Sequence, residues 1–303
     1  MNPVNTIFIT GASGFIGGSI ADRFVKAGKR VRGLVRSKEK ADFLFARGIE
    51  PVIGDLDDTD LLIREATQAD AVIHAASADH ADSVQALIKG LAGSSKPLVH
   101  TSGSSIVGDD VRGSQTTERI YDETTPLLIQ GLKQPRRNID LLVLDAAKKN
   151  VRSIVICPSL IYGHGKGLNK QSVQIPFLIK NAQLTGRVEI VGAGLNVWSN
   201  VHIDDVVDLY VLAIASAPAG AFYFAENGEA SFKQIGKALA KRLNLNAVES
   251  LNPDVAAERW GLAMAYFSLG SNSRVRSVRA RKELGWSPCH TSVISWIQHE
   301  MQN

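Results

Sequence analysis

Thr10-Gly11-Ala12-Ser13-Gly14-Phe15-Ile16-Gly17 decides how this chain is read. An apolar run, Thr6-Ile7-Phe8-Ile9, precedes it, and an amphipathic segment, Ile16 to Ala27, follows. The order is strand, glycine-rich turn, helix. Gly11 can take the positive φ of a tight turn without Cβ strain. Gly14 admits a close approach of a pyrophosphate to the backbone, and Gly17 lets the helix pack near the strand. The free N–H groups and the positive end of the helix then face the phosphates. Such a turn alone is weak evidence. The strand–turn–helix context and a second strand at the right distance strengthen it to a predicted dinucleotide site on Thr10, Gly11, Ser13, Gly14, Phe15, Ile16 and Gly17.

Working outward, apolar runs alternate with helix-length amphipathic segments. Strands are predicted at 6–10, 30–35, 50–53, 71–74, 98–101 and 153–157, with helices near 15–27, 38–46, 58–68, 82–91 and 138–149. Strands buried on both faces and separated by helices imply an α/β fold, a Rossmann-type doubly wound parallel sheet. After Pro158 the rhythm changes. Helices are expected at 172–184, 202–215 and 231–243, and short strands at 188–191 and 221–225. The expected organisation is a dinucleotide-binding domain over 1–162 that also takes in about 200–225. A smaller C-terminal substrate domain then covers 163–199 and 226–303. The polar stretch from Gly103 to Pro135 is long for a connection, and it should overhang the cofactor site.

The end of the second strand sets the cofactor. An NAD-preferring fold places a carboxylate there for the ribose 2′-hydroxyl. This strand ends in Arg36, with Ser37 and Lys38 next and no acid before Glu39. A planar guanidinium suits a 2′-phosphate. NADP(H) is therefore expected ahead of NAD(H), with Arg36 as anchor, Lys38 as support and Arg32 as a further contact. Asp55, after the third strand, can accept from the adenine amino group, and Leu56 can pack on the ring.

The chain has 303 residues, 45% hydrophobic and 21% charged, with net charge +4 and pI near 9.0. That composition is globular, and a mild, scattered basic excess does not indicate nucleic acid. Cys157 and Cys289 build no disulfide framework, so a reducing compartment is expected. No basic leader precedes the first apolar run, and no apolar stretch is long enough for a bilayer. Cytoplasmic location, a small-molecule substrate, and neither nucleic acid nor membrane as partner follow as expectations. His, Asp and Glu do not cluster at ligand spacing in sequence, so no metal is expected.

Several separated segments resemble the extended short-chain dehydrogenase/reductase superfamily, the NAD-dependent epimerase/dehydratase group. They are Thr10–Gly17, Gly54-Asp55-Leu56, His74-Ala75-Ala76, Pro158-Ser159-Leu160-Ile161-Tyr162-Gly163, Val201–Val206 and Ala280–Pro288. The resemblance adds His74, Ala75, Ala76, Thr101 and Pro158 to the cofactor surface. It also implies a homodimer that pairs through helices 82–91 and 138–149.

Members of that group use a serine that polarises the carbonyl and a Tyr-x-x-x-Lys pair that moves the proton. Gly103 stands at the serine position in Thr101-Ser102-Gly103-Ser104-Ser105. The helix that should carry the pair, Arg136 to Asp145, has no tyrosine, so the chain reads as an atypical member without it. Candidate substitutes are Ser104 and Ser105 for the serine, and Tyr121 or Tyr162 for the acid. Lys133, Arg136 or Arg137 could stand in for the lysine, and His164 is a further acid–base candidate. An NADP(H)-dependent carbonyl reductase or alcohol dehydrogenase on a small organic molecule leads. The alternatives are a nucleotide-sugar epimerase/dehydratase-like enzyme and a nonenzymatic NADP(H)-binding redox sensor. No arginine occurs in Asn196–Asn200, where sugar-nucleotide enzymes often hold the diphosphate, so the leading reading gains.

Overall fold

The computed structural model describes residues 3–127, 129 and 131–301. Its strands are β1 (Thr6–Thr10), β2 (Arg30–Val35), β3 (Glu50–Ile53), β4 (Ala71–His74), β5 (Pro97–Thr101) and β6 (Arg152–Pro158). Then follow β7 (Leu160–Tyr162), β8 (Val188–Val191), β9 (Val197–His202), β10 (Ala221–Ala225), β11 (Glu229–Ser231) and β12 (Val248–Leu251). The α-helices in the first half are α1 (Phe15–Lys26), α2 (Lys38–Phe45), α3 (Thr59–Gln68), α4 (Ala81–Leu91) and α5 (Gln134–Asp145). The second half carries α6 (Gln174–Thr185), α7 (Ile203–Ser216), α8 (Phe232–Arg242), α9 (Pro253–Trp260), α10 (Val278–Leu284) and α11 (Val293–His299).

Seven strands form one parallel sheet in the order β3-β2-β1-β4-β5-β6-β10. The chain leaves β1 in one direction and returns at β4 on the other side. This reversal opens a crevice beyond the strand ends, where ligands of doubly wound sheets sit. The strands are apolar on both faces because helices cover both. On one side α1, α2, α7 and α10 pack over Ile7, Ile9, Ile154, Ile156 and Tyr223. On the other side α3, α4 and α5 pack over Phe8, Val72, Leu98, Val155 and Phe224. Local signals set the helix starts. Ser37 accepts from the N–H of Lys40 to cap α2, Asp58 caps α3, and Ser231 with Gln234 makes a reciprocal capping box on α8.

A third core lies beyond the sheet edge. Here β7, β9 and β11 make one small sheet and β8 pairs with β12, under α6, α8, α9 and α11. One expectation changes. Helix α5 begins at Gln134, four residues earlier than the periodicity predicts, because Pro135 fits a first helical turn. The stretch from Gly103 to Pro135, in which Leu128 and Gln130 lie outside the described residues, adds no lining to the cleft at the strand reversal. Its backbone is tied to the C-terminal segment instead: Gly113 N–H donates to Gly270, Tyr121 N–H to Arg274, and Arg276 N–H to Tyr121. The Glu123 carboxylate adds bonds from the N–H groups of Phe224, Val278 and Arg279.

Candidate cofactor site and reaction edge

The crevice at the reversal is a cleft of about 530 Å³ beyond β1, β2, β3 and β4. The turn contributes Gly11, Ser13 and Gly14, and the end of β2 contributes Leu34, Val35 and Arg36. Lys40, the segment Gly54–Asp57, the segment Ala75–Ser77 and His80 complete the lining. Gly11 has φ +75°, and a Cβ there would lie 2.7 Å from the Ala75 carbonyl oxygen, so the turn and the end of β4 meet backbone to backbone. Helix α1 starts at Gly14 with no side-chain cap and no acid in its first turn. Its first N–H groups therefore point out unpaired by side chains, which suits an anionic group.

The cleft also shows why some expected residues do not face it. Lys38 is exposed at the start of α2 and does not line the cleft, whereas Lys40 does. Helical side chains lean toward the N-terminus, so the third residue of the turn covers the strand end better than the first. Arg32 is taken up by Glu65 and Glu50. Asp55 lines the cleft, but one carboxylate oxygen accepts from the N–H groups of Asp57 and Asp58 and so shapes the β3–α3 turn. Leu56, Ala75 and Ala76 line the cleft. Thr10, Phe15, Ile16, Gly17, His74, Thr101 and Pro158 do not. Thr10 Oγ1 lies 2.7 Å from His74 Nδ1, and Thr101 Oγ1 lies 2.6 Å from the Tyr210 hydroxyl. His74 is fully buried and stacks on His100 at 5.4 Å between ring centroids. Burial, aided by the charge of His80, drops the His74 pKa to about 4, so it is a neutral support for Thr10.

Several of the candidate substitutes for the family serine and lysine lie past β5. Ser104 is buried, and its hydroxyl lies 2.8 Å from that of Ser273. Ser105 Oγ accepts from Arg136 Nη1 at 2.9 Å. Arg136 in turn grips Asp79 with Nε and Nη2 at 2.7 and 2.5 Å. Lys133, at the head of α5, donates to the Gly108 carbonyl at 2.6 Å. Burial pushes its pKa down to about 8, against the pull of Asp109 and Asp110. Arg137 lies 3.7 Å from Asp140, a carboxyl with no exposure.

The tyrosine candidates fall elsewhere. Tyr121 bridges to Val275 with its ring under Arg119. Tyr162 sits in the third core and donates to the His290 carbonyl at 3.1 Å. Burial raises its phenol pKa above the ordinary range. The chain does hold one Tyr-x-x-x-Lys spacing outside helix α5, Tyr162 to Lys166. It runs from a strand end into a loop, with Tyr162 buried and Lys166 exposed, so the two do not form a helical pair. His164 leans on Trp296 in that loop.

The fold gathers one group that the sequence spacing hides. His202, Asp204 and His290, and likewise Asp205, Cys289 and His290, bring donor atoms within 4.8 Å of one another. Asp205 is not a simple helix-end charge. It is buried and accepts from the N–H groups of Cys289 and His290, pinning the C-terminal segment to α7. The rings of His202 and His290 stack at 3.9 Å and 22°. Near-parallel rings do not aim their lone pairs at one point, so this arrangement serves packing.

A parallel sheet reversing at β1 and β4, with a glycine-rich turn feeding an uncapped helix, defines a nucleotide-binding fold of Rossmann type. The chain belongs to the NAD dependent epimerase/dehydratase family, whose pattern matches residues 7–223. It is 33% identical over 339 residues to the oxidase ucsJ of an Acremonium species, covering 96% of this chain and 95% of that one. It is 26% identical to a 4-hydroxy-2-methyl-3-oxo-4-farnesyl-3,4-dihydroquinoline-1-oxide ketoreductase of Stigmatella aurantiaca, covering 92% and 91%. Among solved structures it is similar to dTDP-glucose 4,6-dehydratase of Bacillus anthracis in complex with NAD. That match has a TM-score of 0.76 at 18% identity, over 97% of this chain and 94% of that one. Among the described residues, no helix is long and apolar enough to cross a membrane.

Proposed function

We propose that this oxidoreductase of the short-chain type is an NADP(H)-dependent carbonyl reductase acting on a small organic molecule. One observation carries the reading. Arg36 just past β2 and Lys40 on α2 line the cleft, and no acid follows β2 before Glu39, which does not line it. Arg36 and Lys40 would hold a 2′-phosphate, the N–H groups of α1 the pyrophosphate, and Leu56 with the Ala75–Ala76 segment the adenine. When bound, the cofactor supplies hydride transfer to or from the substrate carbon. The residues of this chain bind it, exclude water from the turn and hold the carbonyl.

Two findings support reduction of a carbonyl over sugar-nucleotide chemistry. The ketoreductase relative spans most of this chain, and the oxidase relative is a second redox protein. Arg187, the nearest arginine to the Asn196–Asn200 stretch in sequence, is paired with Glu249 at 2.9 Å, and Asn196 is spent on the carbonyls of Leu269 and Ser271. The test is fluorescence titration of the purified protein with NADPH and NADH, followed by a screen of ketones and aldehydes for oxidation of the reduced cofactor. Tighter NADPH binding that Arg36→Ala abolishes, together with turnover of at least one carbonyl, is the expected result. Cofactor binding without turnover of any carbonyl would favour a redox sensor.

A further inference from the structure

We propose that Arg136 is the catalytic electrophile of this protein, its guanidinium standing where the family serine would and binding the substrate's carbonyl oxygen. The inference rests on the carbonyl-reductase reading above. The evidence is the space beside position 103. Gly103 carries no side chain, and a Cβ built there would lie 3.5 Å from Arg136 Nη1. The guanidinium from α5 is thus the direct neighbour of position 103, at ordinary contact distance, and it supplies N–H donors where the glycine supplies no hydroxyl.

The group is held as a preorganised donor should be. Nε and Nη2 grip both oxygens of Asp79 from the segment after β4, and Nη1 donates to Ser105. These bonds fix the plane of the guanidinium from two elements. Its fork carries more N–H groups than the three so used, and the side chain keeps 29% of its surface exposed. Those remaining donors can meet an oxygen that enters beside Gly103. The placement also costs helix stability. Arg136 and Arg137 both lie in the first turn of α5, where the dipole disfavours cations, and no acid accompanies them. Asp79 and Ser105 are positioning residues, since they act through Arg136.

The step balances with a reduced nicotinamide as the two-electron donor. A hydride adds to the carbonyl carbon and the C=O π pair moves onto oxygen. The developing alkoxide accepts N–H bonds from Arg136 and then takes a proton from solvent. Arginine keeps its own protons at any working pH, so it stabilises charge and transfers none.

Phenanthrenequinone, a generic dicarbonyl, is the probe substrate, with NADPH in excess. Arg136→Gln should lower kcat about 100- to 1,000-fold, the usual cost of losing one oxyanion donor, while NADPH affinity by fluorescence stays within about threefold. Millimolar guanidinium chloride should restore part of the turnover of Arg136→Gly, which a purely structural role would not allow. A readout without turnover is benzoate, a carboxylate mimic of the alkoxide, titrated by calorimetry into the NADP-loaded protein. Its affinity should fall at least tenfold in Arg136→Gln. Unchanged kcat in Arg136→Gln, or no rescue by guanidinium, or unchanged benzoate binding, overturns the proposal. Wild-type protein that binds NADPH but reduces neither the quinone nor any screened ketone overturns the reductase reading itself, a separate outcome. If Arg136→Gln fails to fold, Arg136→Lys with the same turnover and benzoate arms decides the case.

Discussion

Asp140 faces the sheet from α5 with no exposed surface. Burial lifts its carboxyl to about 6, while Ser102 and Arg137 pull the other way. A carboxyl whose folded pKa lies above its unfolded value contributes full stability below about pH 4 and loses it as pH rises through about 6. The shift corresponds to a penalty on the order of 3 kcal/mol above that window. Asp140→Asn, neutral at every pH, should therefore be the more stable protein at pH 8, and the gap should close by pH 4. Urea unfolding midpoints across that range check it, and a gap independent of pH would refute it. Tyr162→Phe tests the opposite kind of residue. Its hydroxyl bonds a backbone carbonyl in the third core, so the loss should cost about 1 kcal/mol of stability and leave carbonyl turnover within about twofold. A drop of orders of magnitude would return Tyr162 to the chemistry. At this scale the sequence was legible where function is local. Arg36 could be named because it follows its strand directly. Lys40 could not, because the lean of helical side chains decides which residue of a turn faces back. Arg136 was only one of three basic candidates, since nothing in its neighbours reveals that Gly103 lies beside it.

The glycine-rich turn is closed from behind by the loop that follows β7. The N–H groups of Leu168 and Asn169 donate to the Ser13 carbonyl at 3.0 and 3.2 Å, and that of Lys166 to Ser19 Oγ at 3.0 Å. A side chain on Gly167 would run into the Gly14 carbonyl. Gly167→Val should then push the loop off the turn. A loss of about 1–3 kcal/mol, the usual range for overpacking, and several-fold weaker NADPH binding are expected from thermal unfolding and fluorescence titration. Normal affinity in a destabilised protein would separate the loop from the cofactor site. Elements with strong periodicity or unbroken apolar runs were readable from the sequence, including all six leading strands. The strands of the small sheets were harder. β7 and β11 have three residues each, and β12, Val-Glu-Ser-Leu, is half polar. Such pieces are held by pairing partners and not by their own pattern. The shifted start of α5 has a similar cause, because Pro135 reads equally as a stop or as a first turn.

At the scale of the molecule, the chain builds its two halves of function differently. The adenosine half of the cleft comes from the ends of β1, β2, β3 and β4, each followed at once by its lining residues. A single pass along the sequence meets them in order. The proposed reaction edge joins Asp79, Gly103, Ser105 and Arg136, and the 103–135 stretch reaches the C-terminal segment through hydrogen bonds over 150 residues away in sequence. Only the folded parallel sheet brings these together, so the proposed stand-in for the family serine had to be read from the fold. On the proposed reading, Arg36 after β2 and Lys40 on α2 together make this an NADP(H) protein. Nicotinamide fluorescence titrations of wild type, Arg36→Ala and Lys40→Ala with NADPH and NADH test it most directly. Wild type should prefer NADPH by at least about tenfold, roughly 1.4 kcal/mol, and each substitution should erase most of that preference without changing NADH affinity. Equal affinity for both cofactors in the wild type, or a preference that survives both substitutions, would contradict it.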